Sequence, residues 1–126
     1  MSNSEANPRD LRRVLLVSGD LMAGSWIGGP AKEAGLAVDV APSLADGVRR
    51  AAAAGYRLVV IDLASARGNI AELVSATKTR SPSAELIAFG PHVQDALLEA
   101  AQAAGCDRVL TRGQFNAQVG KIVAAL

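Results

Sequence analysis

Aromatic residues are scarce in this 126-residue chain, which has two Phe, one Tyr and one Trp. So few rings argue against a stacking platform for single-stranded nucleic acid. Neither charge is in surplus. The 13 Lys and Arg against 12 Asp and Glu leave a formal charge of +1, so no broad nucleic-acid footprint and no polybasic membrane patch is expected. The single cysteine, Cys106, cannot form an internal disulfide and sets no metal-ligand spacing. The single histidine, His92, has no second His, Cys or nucleophile–base pair beside it in sequence, so the chain is not expected to be an enzyme. No apolar run approaches the roughly 20 residues of a membrane span. Met1 to Asp10 is polar and lacks the apolar segment of a secretory leader. These absences predict a cytoplasmic protein with no membrane and no nucleic-acid partner.

What is present points to a folded domain. Half the residues are apolar and a fifth are charged, and the length suits one domain with its own core. Residues 1–11 read as a flexible lead and 12–126 as the domain. Short β-branched or leucine-rich runs stand at Val14–Val17, Leu36–Val40, Leu58–Ile61, Leu86–Phe89 and Arg108–Leu110. Such nearly continuous apolar runs suit strands buried on both faces of a parallel sheet. Between them lie alanine-rich stretches with helical stripes: Leu44, Val48 and Ala51; Ile70, Leu73 and Val74; Phe115, Val119, Ile122 and Val123. Ser43 and Asn69 are placed as N-caps, with Asp46 and Glu72 three residues on. Gly35, Gly55 and Gly105 stand where a left-handed residue would end a helix. Gly24, Gly28, Gly29 and Pro30 interrupt the first helix, which is expected to kink or to start near Pro30. Strict alternation predicts an α/β fold with one doubly wound, five-stranded parallel sheet.

Ligands of such sheets bind beyond the carboxyl ends of the strands. The candidates there are Ser18, Gly19 and Asp20, then Asp62, Gly90, and Thr111 with Arg112. The carboxylate closing Leu58-Val59-Val60-Ile61-Asp62 draws attention first. With Val14-Leu15-Leu16-Val17, Ala103-Ala104-Gly105-Cys106-Asp107 and Leu110-Thr111-Arg112, it resembles the receiver domain of two-component response regulators over residues 12–126. The resemblance implies a flavodoxin-like, CheY-like (βα)5 fold with strand order 2-1-3-4-5. It also implies a phosphoacceptor at Asp62, an acidic Mg²⁺-holding pair after the first strand, a Thr or Ser after the fourth and a Lys after the fifth.

The departures shape the functional expectation. Ser18 and Gly19 stand in place of the acidic pair, and Mg²⁺ prefers a site with carboxylate oxygens. Asp20 could serve only if the loop shifts register. Gly90 has no hydroxyl; Arg112 replaces Lys, Gly113 the following Pro, and Val109 the aromatic switch residue of the family. Phosphoryl transfer depends on positioning and charge stabilisation, so the expectation is an atypical, stand-alone receiver. It would act through a signalling partner such as a histidine kinase or an output protein, with no cofactor and Mg²⁺ doubtful. The alternatives are a phosphoaccepting regulator that uses Asp62, or a nucleotide- or flavin-binding protein that uses a Gly19–Gly29 loop. That loop lacks the Lys-Ser/Thr of a phosphate loop, and Leu21 breaks the dinucleotide fingerprint. Leu97, Leu98 and Ala101 with Phe115, Val119 and Ile122 are more apolar positions than one sheet face usually needs, and by resemblance the face of the fourth helix, fifth strand and fifth helix is the expected interface for a partner or a homodimer. Cys106 is read as a packing residue and His92 as a surface residue, while Trp26 is expected either to pack in the core or to stand exposed as an anchor for a partner.

Overall fold

A computed structural model describes residues 12–93 and 95–126; the expected lead at 1–11 lies outside them. The apolar runs form five strands: β1 Arg13–Val17, β2 Ala37–Ala41, β3 Leu58–Asp62, β4 Glu85–Gly90 and β5 Arg108–Thr111. Helices alternate with them: α1 Leu21–Glu33, α2 Leu44–Ala53, α3 Ile70–Arg80, α4 Asp95–Ala103 and α5 Arg112–Ala124. The strands pair in parallel in the order β2-β1-β3-β4-β5, as expected. β1, β3 and β4 are central, and their near-continuous apolar text is buried on both faces.

Two cores follow from the period-2 alternation of those strands. Val14, Leu16, Leu58, Val60, Ile87 and Phe89 face α1 and α5. Leu15, Val17, Val59, Ile61, Leu86 and Ala88 face the layer of α2, α3 and α4. Phe89 stacks on Phe115 of α5 with centroids 4.4 Å apart, and Trp26 meets its edge at 6.3 Å. Trp26 is thus a partly buried packing residue.

The late start expected for the first helix is not met. The helix starts at Leu21 and runs through Gly24, Gly28, Gly29 and Pro30. Burial of Ala23, Ile27 and Ala31 on successive turns outweighs the poor local propensity. Pro30 lies near the C-terminal end, where few later turns depend on it. Ser43 and Asn69 cap α2 and α3 as expected. Gly35 and Gly105 adopt φ of +75° and +103°, whereas Gly55 does not have positive φ, because α2 ends through Ala54 in an extended conformation. Gly68 supplies the left-handed geometry before α3 instead.

Candidate functional site

The register builds the site. Val17 of β1 lies opposite Ile61 of β3, so the residues that follow, Ser18 and Asp62, become neighbours at the carboxyl edge of the sheet. Both are almost completely buried, at 3% and 1% exposure. Burying a carboxylate is costly unless its oxygens are satisfied, and here they are. Asp62 Oδ2 accepts hydrogen bonds from Ser18 Oγ at 2.8 Å and Ser65 Oγ at 2.9 Å. Asp62 Oδ1 accepts one from the Ala64 N–H at 3.2 Å. The hydroxyls also accept: Ser18 Oγ from the Asp20 N–H and Ser65 Oγ from the Gly19 N–H, each at 3.0 Å.

Ser18, Gly19 and Asp62, expected at one sheet edge, are joined there. Ser65 carries no signal in the sequence, because its place three residues after Asp62 becomes meaningful only once the chain turns back over the strand end. That turn is closed by the Ser65 and Ala66 N–H groups on the Asp62 carbonyl, at 3.3 and 2.8 Å.

The remaining candidates are placed differently. Asp20 is the N-cap of α1, its Oδ1 accepting from the Met22 N–H at 2.9 Å. Asp is a favoured N-cap residue, a signal already present in the sequence. Thr111 caps α5, its hydroxyl accepting from the Gln114 N–H at 3.2 Å while Gln114 reaches back to the Thr111 N–H at 2.9 Å. Arg112 opens α5 with its guanidinium 5.9 Å from the Trp26 ring centroid, in cation–π range, and its Nε is buried without a hydrogen-bond partner. Gly90 ends β4 in an apolar setting: a Cβ added there would lie 3.4 Å from Leu63 Cβ and 3.5 Å from Leu98 Cδ2.

This donor set does not suit Mg²⁺, which takes near-octahedral oxygen ligation usually including one or two carboxylates. Asp62 is the single carboxylate of the network, and Asp20 is engaged by its own helix. Among the described residues no group of three or more His, Cys, Asp or Glu is placed to hold a metal ion. Gly24, Gly28 and Gly29 belong to the body of α1 and so form no loop that could cradle a nucleotide or flavin.

The other residues singled out are accounted for locally. His92 is exposed in the turn after β4. Cys106 is buried, and burial followed by the neighbouring Asp107 charge pushes its thiol up to about 11. Phe115, Val119 and Ile122 are buried in the core, and Leu97 and Leu98 are partly buried against it. The exposed large apolar side chains among the described residues are Leu21, Met22, Val40 and Val93, none of them on α4, β5 or α5. Among the described residues, no helix is long and apolar enough to cross a membrane.

No family model and no curated protein matches the chain. Solved structures do match it. One is a response regulator from Burkholderia pseudomallei with a phosphorylated aspartic acid, calcium ion and citrate: 24% identity, TM-score 0.70, covering 91% of this chain and 66% of that one. Another is an orphan response regulator of H. pylori, at 24% identity and TM-score 0.69, covering 94% and 95%. A third is the receiver domain of a sensor histidine kinase from Pseudomonas aeruginosa with a magnesium ion coordinated in its active-site cleft, at 16% identity and TM-score 0.72, covering 90% and 95%. At these identities the likeness speaks for the fold, and with the strand order it shows that the chain has the α/β, CheY-like receiver fold.

Proposed function

We propose that this chain is a two-component-type signalling module that works by protein–protein contact, without regulated Mg²⁺-dependent phosphorylation of Asp62. Its partner would be a signalling protein such as a histidine kinase or an output protein. The receiver fold supports the signalling class. The observation that carries the reading is the enclosure of the Asp62 carboxylate by Ser18 and Ser65. Hydrogen bonds to a charged group contribute roughly 1.5–3 kcal/mol each. Two of them on Oδ2 stabilise the carboxylate in its ground state, which slows its attack on phosphorus. No second carboxylate stands in the network, and no hydroxyl extends from Gly90 to meet a transferred group.

The test is intact-mass spectrometry after incubation with Mg²⁺ and acetyl phosphate. The expected outcome is unmodified protein. A phosphoryl adduct that disappears in Asp62→Ala would overturn the reading in favour of an ordinary phosphoaccepting regulator.

A further inference from the structure

Each of the two hydroxyls beside Asp62 does two things at once. Ser18 Oγ donates to Asp62 Oδ2 and accepts the Asp20 N–H. Ser65 Oγ donates to the same oxygen and accepts the Gly19 N–H. The two oxygens are themselves 3.3 Å apart. The buried carboxylate, both hydroxyls and two backbone donors at the entry to α1 therefore satisfy one another, and the loop after β1 is tied to the loop after β3.

We infer that Ser18, Asp62 and Ser65 form a metal-free clasp between these loops, and that a single substitution, Ser18→Asp, converts it into a divalent-cation site. The inference rests on the reading of Asp62 given under Proposed function and adds what holds the site together. A cation approaching Asp62 Oδ2 meets two hydroxyl donors already directed at that oxygen. Position 19 cannot easily supply the missing ligand, since a Cβ there would sit 3.1 Å from the Pro42 carbonyl oxygen. Position 18 can, because its side chain already ends 2.8 Å from the Asp62 carboxylate. Two carboxylates at that separation repel in a buried setting, and a hard divalent cation relieves the repulsion.

Thermal unfolding in EDTA and in millimolar Mg²⁺, without any phosphodonor, tests this. The unsubstituted protein should show the same Tm in both. Ser18→Ala, which removes both the donor to Asp62 and the acceptor of the Asp20 N–H, should unfold at least about 4 °C lower, with no recovery in Mg²⁺. Ser18→Asp should be destabilised in EDTA and recover progressively as Mg²⁺ is added. A Mg²⁺-dependent rise in Tm of the unsubstituted protein that is lost in Asp62→Ala would overturn the inference. So would a folded Ser18→Asp protein indifferent to Mg²⁺. Should Ser18→Asp not fold, Mn²⁺ titration of the unsubstituted protein by NMR decides: unbroadened Ser18, Gly19 and Asp62 amides support the clasp, and selective broadening refutes it. Failure here is separable from failure of the functional reading. A protein that binds Mg²⁺ yet takes no phosphoryl group loses only the clasp, and one that is phosphorylated on Asp62 loses the functional reading.

Discussion

At the scale of single residues, Thr77 contrasts with Ser18. Both are buried hydroxyls, but Ser18 bonds to Asp62, whereas Thr77 Oγ1 has no hydrogen-bond partner. An unsatisfied buried polar group costs about 1–3 kcal/mol. Val has nearly the same shape as Thr and a similar helix propensity. Thr77→Val should therefore raise the midpoint of urea unfolding, by about 1 kcal/mol in stability, with an unchanged m-value; a loss of stability would show that the hydroxyl is bonded after all. The same comparison explains what the sequence reveals at this scale. Asp62 is conspicuous because a carboxylate ends an apolar strand. Ser65 is not, because serine in a loop is ordinary and its role depends on how the chain folds back over Asp62. Asp20 could be read either as a displaced ligand or as a helix cap, and its bond to the Met22 N–H identifies it as the cap.

At the scale of elements, two helices use glycine in opposite ways. α2 lies close over β1 at Gly47, where an added Cβ would come within 2.8 Å of Val17 Cγ2 and 3.1 Å of Cγ1. Val17 is fully buried, and a β-branched side chain has little freedom to yield. Overpacking of this kind typically costs about 1–3 kcal/mol, against roughly 1 kcal/mol gained in helix propensity. Gly47→Ala should therefore be destabilising on balance. In α1, by contrast, a Cβ at Gly24, Gly28 or Gly29 meets nothing within 4 Å. Gly24→Ala should stabilise by about 0.5–1 kcal/mol. Urea titration of the two variants should thus give shifts of opposite sign, and a shared sign would refute the assigned packing. The strands and α2, α3 and α5 were legible because periodicity and caps agree with burial there, as with Ser43 ahead of Leu44 and Gly47. In α1 they disagree. Its breakers are local signals, while the burial of Ile27 against the sheet is a tertiary one that no window of sequence displays. On α5 the sequence does not tell which apolar residues the core takes up: in a small sheet with few aromatics, Phe115, Val119 and Ile122 all lie inside.

Across the whole molecule, the two edges of the sheet have different charged fittings. The carboxyl edge carries the Asp62 clasp. The amino edge carries an ion pair between Arg13, which begins β1, and Asp39 of β2. Tyr56, just ahead of β3, donates its phenolic hydrogen to the same Asp39 oxygen at 2.8 Å, with the Arg13 guanidinium 5.1 Å from its ring centroid. Three neighbouring parts of the sheet are thereby fastened by one carboxylate. Burial alone would raise the Asp39 carboxyl, but the Tyr56 hydrogen bond and then Arg13 hold it below its ordinary value. Burial, then the hydrogen bond to Asp39 and its charge, push the Tyr56 hydroxyl from 10.0 up to about 12. A group whose pKa is raised by folding contributes stability fully below its unfolded value and loses it as pH rises through the folded one. The Tyr56 contribution is thus present at neutral pH and is lost between about pH 10 and 12. Asp39 behaves in the opposite sense, its contribution fading as acid takes the pH down through its depressed value. Tyr56→Phe keeps the ring over Arg13 but removes the proton that titrates. It should be less stable than the unsubstituted protein at neutral pH and lose stability less steeply across that alkaline interval. Urea midpoints measured at successive pH values would show this, and parallel slopes for the two proteins would disprove the coupling. Because the Arg13–Asp39–Tyr56 cluster and the clasp share no residue, Tyr56→Phe should leave the response of Ser18→Asp to Mg²⁺ unchanged.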